Sequence, residues 1–131
     1  MLGVDTNVLL RFFVKDDAAQ HRAAVRRLTS MEASGEKALV TTVVVAELAW
    51  GLRSIYGYDR EAIASVVDAL LDGDVFEVDD RASVGSALAD YRAGGPDLAD
   101  NVILAVARAR GARGLLTFDR ALLKRDDCER P

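Results

Sequence analysis

The stretch 3-GVDTNVLLR-11 decides how the rest of the chain is read. An apolar run from Met1 to Val4 stops at Asp5, and Val8, Leu9 and Leu10 resume the apolar pattern after Thr6 and Asn7. Aspartate at such a junction marks the exit of a buried strand and the start of a helix, because its side chain caps free backbone N–H groups. The spacing predicts a strand over 1–5 and a helix to about Phe13.

Outward from this junction the exchange of strand for helix repeats. "KALVT" (37–41), "DVFEV" (74–78) and "GLLTF" (114–118) are short and apolar, as expected of strands covered on both faces. Residues 17–34 place Ala18, His21, Val25 and Leu28 on one helical stripe. Thr41 or Thr42 can cap a helix reaching about Tyr56, and 60–71 carries Ile63, Val66, Val67, Leu70 and Leu71 at helical spacing. A further helix spans 80–92, "AGGP" (93–96) interrupts, and an apolar helix spans 97–110. A short helix follows "GLLTF". The last segment, "KRDDCERP" (124–131), reads as a polar tail, which leaves a fifth strand in doubt. The alternation means an α/β fold with a short parallel sheet of four to five strands flanked by helices. With 131 residues and no repeat or linker, one domain over 1–131 is expected.

Half the residues are hydrophobic and 29% are charged, the composition of a folded, soluble chain. The one cysteine, Cys128, excludes an internal disulfide framework and a cysteine-based zinc site. No apolar run approaches membrane-spanning length and no signal-like segment precedes Asp5, so a cytoplasmic protein is expected. The net charge of −4 does not announce nucleic-acid binding. Of 17 basic residues, however, only Lys15, Lys37 and Lys124 are lysines, and arginine's planar fork suits phosphate. Arg22, Arg26 and Arg27 cluster on one helix, and Arg108, Arg110 and Arg113 near the end of another. Solvated helix faces would account for either cluster taken alone.

The acidic residues carry more information. In parallel α/β sheets ligands bind beyond the carboxyl ends of the strands. Asp5 follows the first strand, and Asp119 follows "GLLTF" in the same manner. Glu47 stands in "TTVVVAELAWGL" (41–52), one turn or so past the second strand, with no lysine or arginine from Val43 to Gly51. Asp97 and Asp100, in "PDLADNVILAVA", share a helix face at spacing i, i+3. Capping explains Asp5, Asp97 and Asp119 singly, with Asp97 the best cap and Asp100 resembling a capping box. Capping does not explain Glu47. Carboxylates crowded at one place repel unless some take protons or a cation joins them. An all-oxygen set suits Mg²⁺ or Mn²⁺. The one histidine, His21, lies on an amphipathic helix, so no histidine pair or Ser-His-Asp triad is available. A divalent metal needs neither to promote phosphodiester hydrolysis.

Four motifs, "GVDTNVLLR", "TTVVVAELAWGL", "DLADNVILAVARARG" and "LLTFDR", in this order and at these separations, resemble those of PIN-domain ribonucleases, in particular the VapC toxins of bacterial type II toxin–antitoxin pairs. The resemblance covers nearly the whole chain. It implies a PIN-like three-layer fold and a metal-dependent endoribonuclease in which Asp5, Glu47, Asp100 and Asp119 hold Mg²⁺ or Mn²⁺. Asp97 would be an auxiliary acid or a cap, with Thr6, Asn7 and Thr117 in support. RNA cleavage would leave a 5′-phosphate and a 3′-hydroxyl, with Arg11, Arg108, Arg110 and Arg113 available to the substrate. A homodimer, inhibited by a small cognate antitoxin, is further implied.

Two other readings compete. A haloacid-dehalogenase-like phosphatase needs a second aspartate two residues after the first, where Asn7 stands, and a receiver domain lacks its lysine. A non-catalytic interaction module would use its acids as caps only. It would dock through "ELAWGLRSIYGY" (47–58), where Trp50, Ile55, Tyr56 and Tyr58 concentrate aromatic and apolar surface.

Overall fold

Strands and helices alternate from the first residues onward in the computed structural model, which describes residues 1–131. The order is β1 (Leu2–Gly3), α1 (Thr6–Phe13), α2 (Ala18–Ser34), β2 (Ala38–Val40), α3 (Thr42–Ser54), α4 (Arg60–Asp72), β3 (Phe76–Val78), α5 (Arg81–Arg92), α6 (Leu98–Ala109), β4 (Leu115–Leu116), a 3-10 turn (Leu122–Lys124) and β5 (Cys128–Glu129). β1 and β2 are shorter than the apolar runs that announced them because capping residues start the next helix at once. Asp5 accepts from the Val8 N–H at 3.1 Å, and Thr41, rather than Thr42, accepts from Val44 at 3.4 Å. Asp17 and Asp59 start α2 and α4 in the same way. Gly35, at φ 75°, closes α2 in the left-handed conformation that glycine tolerates best.

All strand pairs are parallel, as expected, but they form two patches. Strands β1, β2 and β3 make a three-stranded sheet in that order, with Leu2 opposite Ala38 and Ala38 opposite Phe76. Strands β4 and β5 pair separately, Leu115 opposite Cys128 and Leu116 opposite Glu129. The reason lies in the packing. Most elements share one core of 25 buried residues, with Val45, Leu48 and Leu52 of α3 fully buried at its centre. The β4–β5 pair is anchored elsewhere, by a small cluster of Leu104, Leu122 and Cys128 with Leu115 against it.

That cluster corrects the reading of 124–131 as a polar tail: a fifth strand forms. Arg108 binds the Asp127 carboxylate through two bonds and Arg113 reaches Glu129 at 3.0 Å. The Leu115 and Thr117 N–H groups donate to the carbonyls of Asp127 and Glu129, each at 3.0 Å. Only Cys128 of this strand is buried. One inward residue between two paired acids is enough for a strand whose neighbours supply the cations. No helix is long and apolar enough to cross a membrane.

Candidate active site

Asp5 stands where β1 turns into α1, one of its oxygens used by the Val8 N–H. The next residue, Thr6, donates its hydroxyl to Glu47 Oε2 at 3.2 Å and so ties α1 to α3. Glu47 is exposed on α3, opposite the buried side formed by Val45, Leu48 and Leu52. Its exposure answers why an acid sits in so apolar a helix: the helix is apolar on its outer face as well, where Val43 and Trp50 lie open. Asp5, Thr6, Asn7 and Glu47 line one cleft together with Trp50 and Ile55.

A second acidic group forms where α6 begins. Asp97 occupies the N-cap position but makes no capping bond. The expectation that it is the best cap, with Asp100 completing a box, is therefore corrected. Its carboxylate pairs instead with Arg53 of α3, and a cation across an interhelical gap outcompetes the local N–H groups. Asp100 is half-buried in the first turn of α6. Desolvation, then the negative charges of Asp119 and Asp97, hold its carboxyl above the usual value, against the pull of Arg53. Asp119 follows β4, and its Oδ1 accepts from the Leu122 N–H at 2.8 Å. Thr117 steadies it by accepting from the Asp119 N–H at 3.0 Å.

The acids therefore meet in two groups rather than at one point. Asp5 and Glu47, joined through Thr6, form one, and Asp97, Asp100 and Asp119 form the other. The charges that act on Asp100 are those of Asp119, Asp97 and Arg53, and Asp5 and Glu47 are not among them. No three carboxylates are close enough together to hold a metal ion. In chemistry the donor set fits a hard divalent cation, being all carboxylate oxygen. Trp50 stands between the groups and lines both clefts.

Two residues that sequence reasoning passed over hold the second group in place. Asn101 is buried, and its amide donates to the carbonyls of Pro96 at 3.0 Å and Asp97 at 3.2 Å. An amide inside the apolar run "DNVILAVA" is the available signal. Arg60 donates to the carbonyls of Tyr91, Gly95 and Pro96 and lies 4.0 Å from the Tyr91 ring centre, pinning the break at 93–96. Nothing local in the sequence marks Arg60.

The arginines expected at a substrate are largely engaged elsewhere. Arg11 binds Asp16, Gln20 and the Tyr56 hydroxyl. Arg108 and Arg113 are occupied by Asp127 and Glu129, in and beside β5. Arg110 is exposed at the end of α6. His21 has its Nδ1 2.9 Å from the Arg11 carbonyl, a structural bond between α2 and α1. Tyr56 and Tyr58 pack partly buried on the core, whereas Trp50 and Ile55 are exposed.

Compared with known families, residues 3–127 match the PIN domain. The chain belongs to the PIN-domain family. The matched span of this PIN domain contains Asp5, Glu47, Asp97, Asp100 and Asp119. The PIN domain is also similar to a VapC ribonuclease of Aquifex aeolicus (strain VF5), 26% identical over 121 residues that cover 92% of this chain and 89% of the relative.

Proposed function

We propose that this PIN domain is a divalent-metal-dependent endoribonuclease, the toxin of a toxin–antitoxin pair, acting in the cytoplasm. The observation that carries the reading is that the charges of Asp119 and Asp97 bear on the half-buried Asp100, while Asp5 and Glu47 line the cleft on the other side of Trp50. Desolvation and the repulsion of its two neighbours raise the Asp100 carboxyl, and a bound cation would relieve that repulsion. The likeness to a VapC ribonuclease supports RNA as the substrate.

In this proposal Asp5, Asp100 and Asp119 hold Mg²⁺ or Mn²⁺, with Glu47 completing the set. The ion supplies Lewis-acid polarisation of the phosphate and charge neutralisation. The chain's own contribution is placement. Thr6 fixes the Glu47 carboxylate by its hydroxyl, so that Glu47 can orient the attacking water. Thr117 and the Leu122 N–H fix Asp119, and Asn101 fixes the turn that carries Asp97 and Asp100. A cognate antitoxin and a second copy of the chain are the proposed partners.

The test is cleavage of a mixed structured-RNA substrate with Mn²⁺ or with EDTA, by wild type, Asp5→Asn and Asp100→Asn. Metal-dependent cutting that both variants lose is the expected result. Full cutting by folded Asp5→Asn and Asp100→Asn would remove the assignment.

A further inference from the structure

The acids account for the promotion of phosphate chemistry but not for how a polyanion is held beside so much negative charge. We propose that Trp50 and Arg53 form a nucleotide-binding subsite between the two acidic groups, in which the indole stacks on an unpaired base and the guanidinium takes the adjoining phosphate. The inference rests on the ribonuclease reading above and deepens it.

Trp50 is 61% exposed although its neighbours Leu48, Ala49 and Leu52 are buried. A tryptophan normally contributes heavily to burial, so one left open on a well-packed helix is available to something outside the chain. Its position is what selects the occupant. The indole borders the cleft of Asp5, Thr6 and Glu47 on one side and that of Asp97 and Asp100 on the other. A base stacked there would have its phosphates directed at the acids. Every base offers a π face, so such a platform serves single strands without demanding a sequence.

Arg53 lies i+3 from Trp50 and so shares its side of α3. Its side chain is 59% exposed, and its one side-chain bond uses Nη1 toward Asp97. A guanidinium has five N–H donors, which leaves the rest of the fork for a phosphate. Asp97 then serves to aim the arginine. Arg53 is the one arginine that lines either cleft beside Trp50, so a phosphate entering there meets a cation as well as the acids.

Trp50 is the chain's single tryptophan, so selectively excited emission reports this site alone. The experiment titrates wild type, in EDTA to prevent cleavage, with a fluorescein-labelled single-stranded RNA oligomer followed by anisotropy, and with the unlabelled oligomer followed by tryptophan emission. Saturable quenching that tracks the anisotropy is expected. Trp50→Ala and Arg53→Ala should each weaken binding about tenfold or more, and Trp50→Phe should retain most of it. RNA binding with unchanged emission, and equal affinity in Trp50→Ala, would overturn the subsite while leaving the ribonuclease reading intact. No RNA binding at all would overturn the subsite, while the ribonuclease reading, which needs the ion that EDTA removes, stands or falls by the cleavage test. A wild-type dimer in sedimentation that Trp50→Ala converts to monomer, with emission indifferent to RNA, would assign the surface to a second copy and overturn the proposal.

Discussion

Arg108 grips Asp127 through two bonds, Nε to Oδ2 at 2.6 Å and Nη2 to Oδ1 at 2.7 Å. This clamp fastens β5 to the last turn of α6. The arginine holds the Asp127 carboxyl below the usual carboxylate value. A depressed folded-state value contributes stability that is present above the unfolded value and lost as pH falls through the folded one. The melting temperature should therefore fall as pH drops below about 4. Asp127→Asn should flatten part of that fall and lower stability only slightly at neutral pH, because partly exposed pairs contribute about 1 kcal/mol or less. Melting curves across this range, read beside wild type, check it. An unchanged acid limb in the variant would contradict the assignment.

Gly114 makes the same strand pair possible. A Cβ added there would collide with the Asp127 carbonyl oxygen, a backbone atom that cannot turn aside. Gly114→Ala should push β5 away and cost about 1–3 kcal/mol, in the range of other overpacked sites. Hydrogen exchange at the Leu115 and Thr117 amides, which bond to Asp127 and Glu129, should accelerate. Wild-type melting and exchange in the alanine variant would show that the strands do not approach this closely.

Asn101 links packing to the acids. Asn101→Leu keeps much of the volume and removes the donor to the Pro96 carbonyl. Stability should drop by about 1–3 kcal/mol. Under the ribonuclease proposal kcat should fall more than KM changes, since Asp97 and Asp100 lose their anchor while the RNA-facing surface is kept. The comparison is Leu48→Ala, a truncation at a fully buried core position that should cost about 2–5 kcal/mol. If activity falls in step with stability alike in Asn101→Leu and Leu48→Ala, Asn101 is reduced to a packing role.

These relationships also show what local sequence can and cannot convey. Periodicity and capping residues place all six helices closely, because Asp5, Thr41 and Asp59 act on N–H groups three residues away. Strand β5 is hidden because its cations, Arg108 and Arg113, lie outside the segment, and the same two arginines look free for RNA. Asp97 looks like a cap because its true partner, Arg53, is 44 residues distant. The ends of strands are the right place to seek the acids. Their division into two groups follows from how α1, α3 and α6 pack, through the Thr6–Glu47 and Arg53–Asp97 contacts, which no motif expresses.

In the proposed mechanism the two acidic groups serve one divalent-cation site. Calorimetric titration of Mn²⁺ into wild type, Asp5→Asn and Asp119→Asn, with folding checked by circular dichroism, separates one shared site from none. Saturable binding to wild type is expected, weakened about tenfold or more, a loss of about 1.4 kcal/mol, by each single variant, one from either group. Mn²⁺ affinity in Asp5→Asn equal to that of wild type would contradict it, since the ion would then be held without the acid that follows β1.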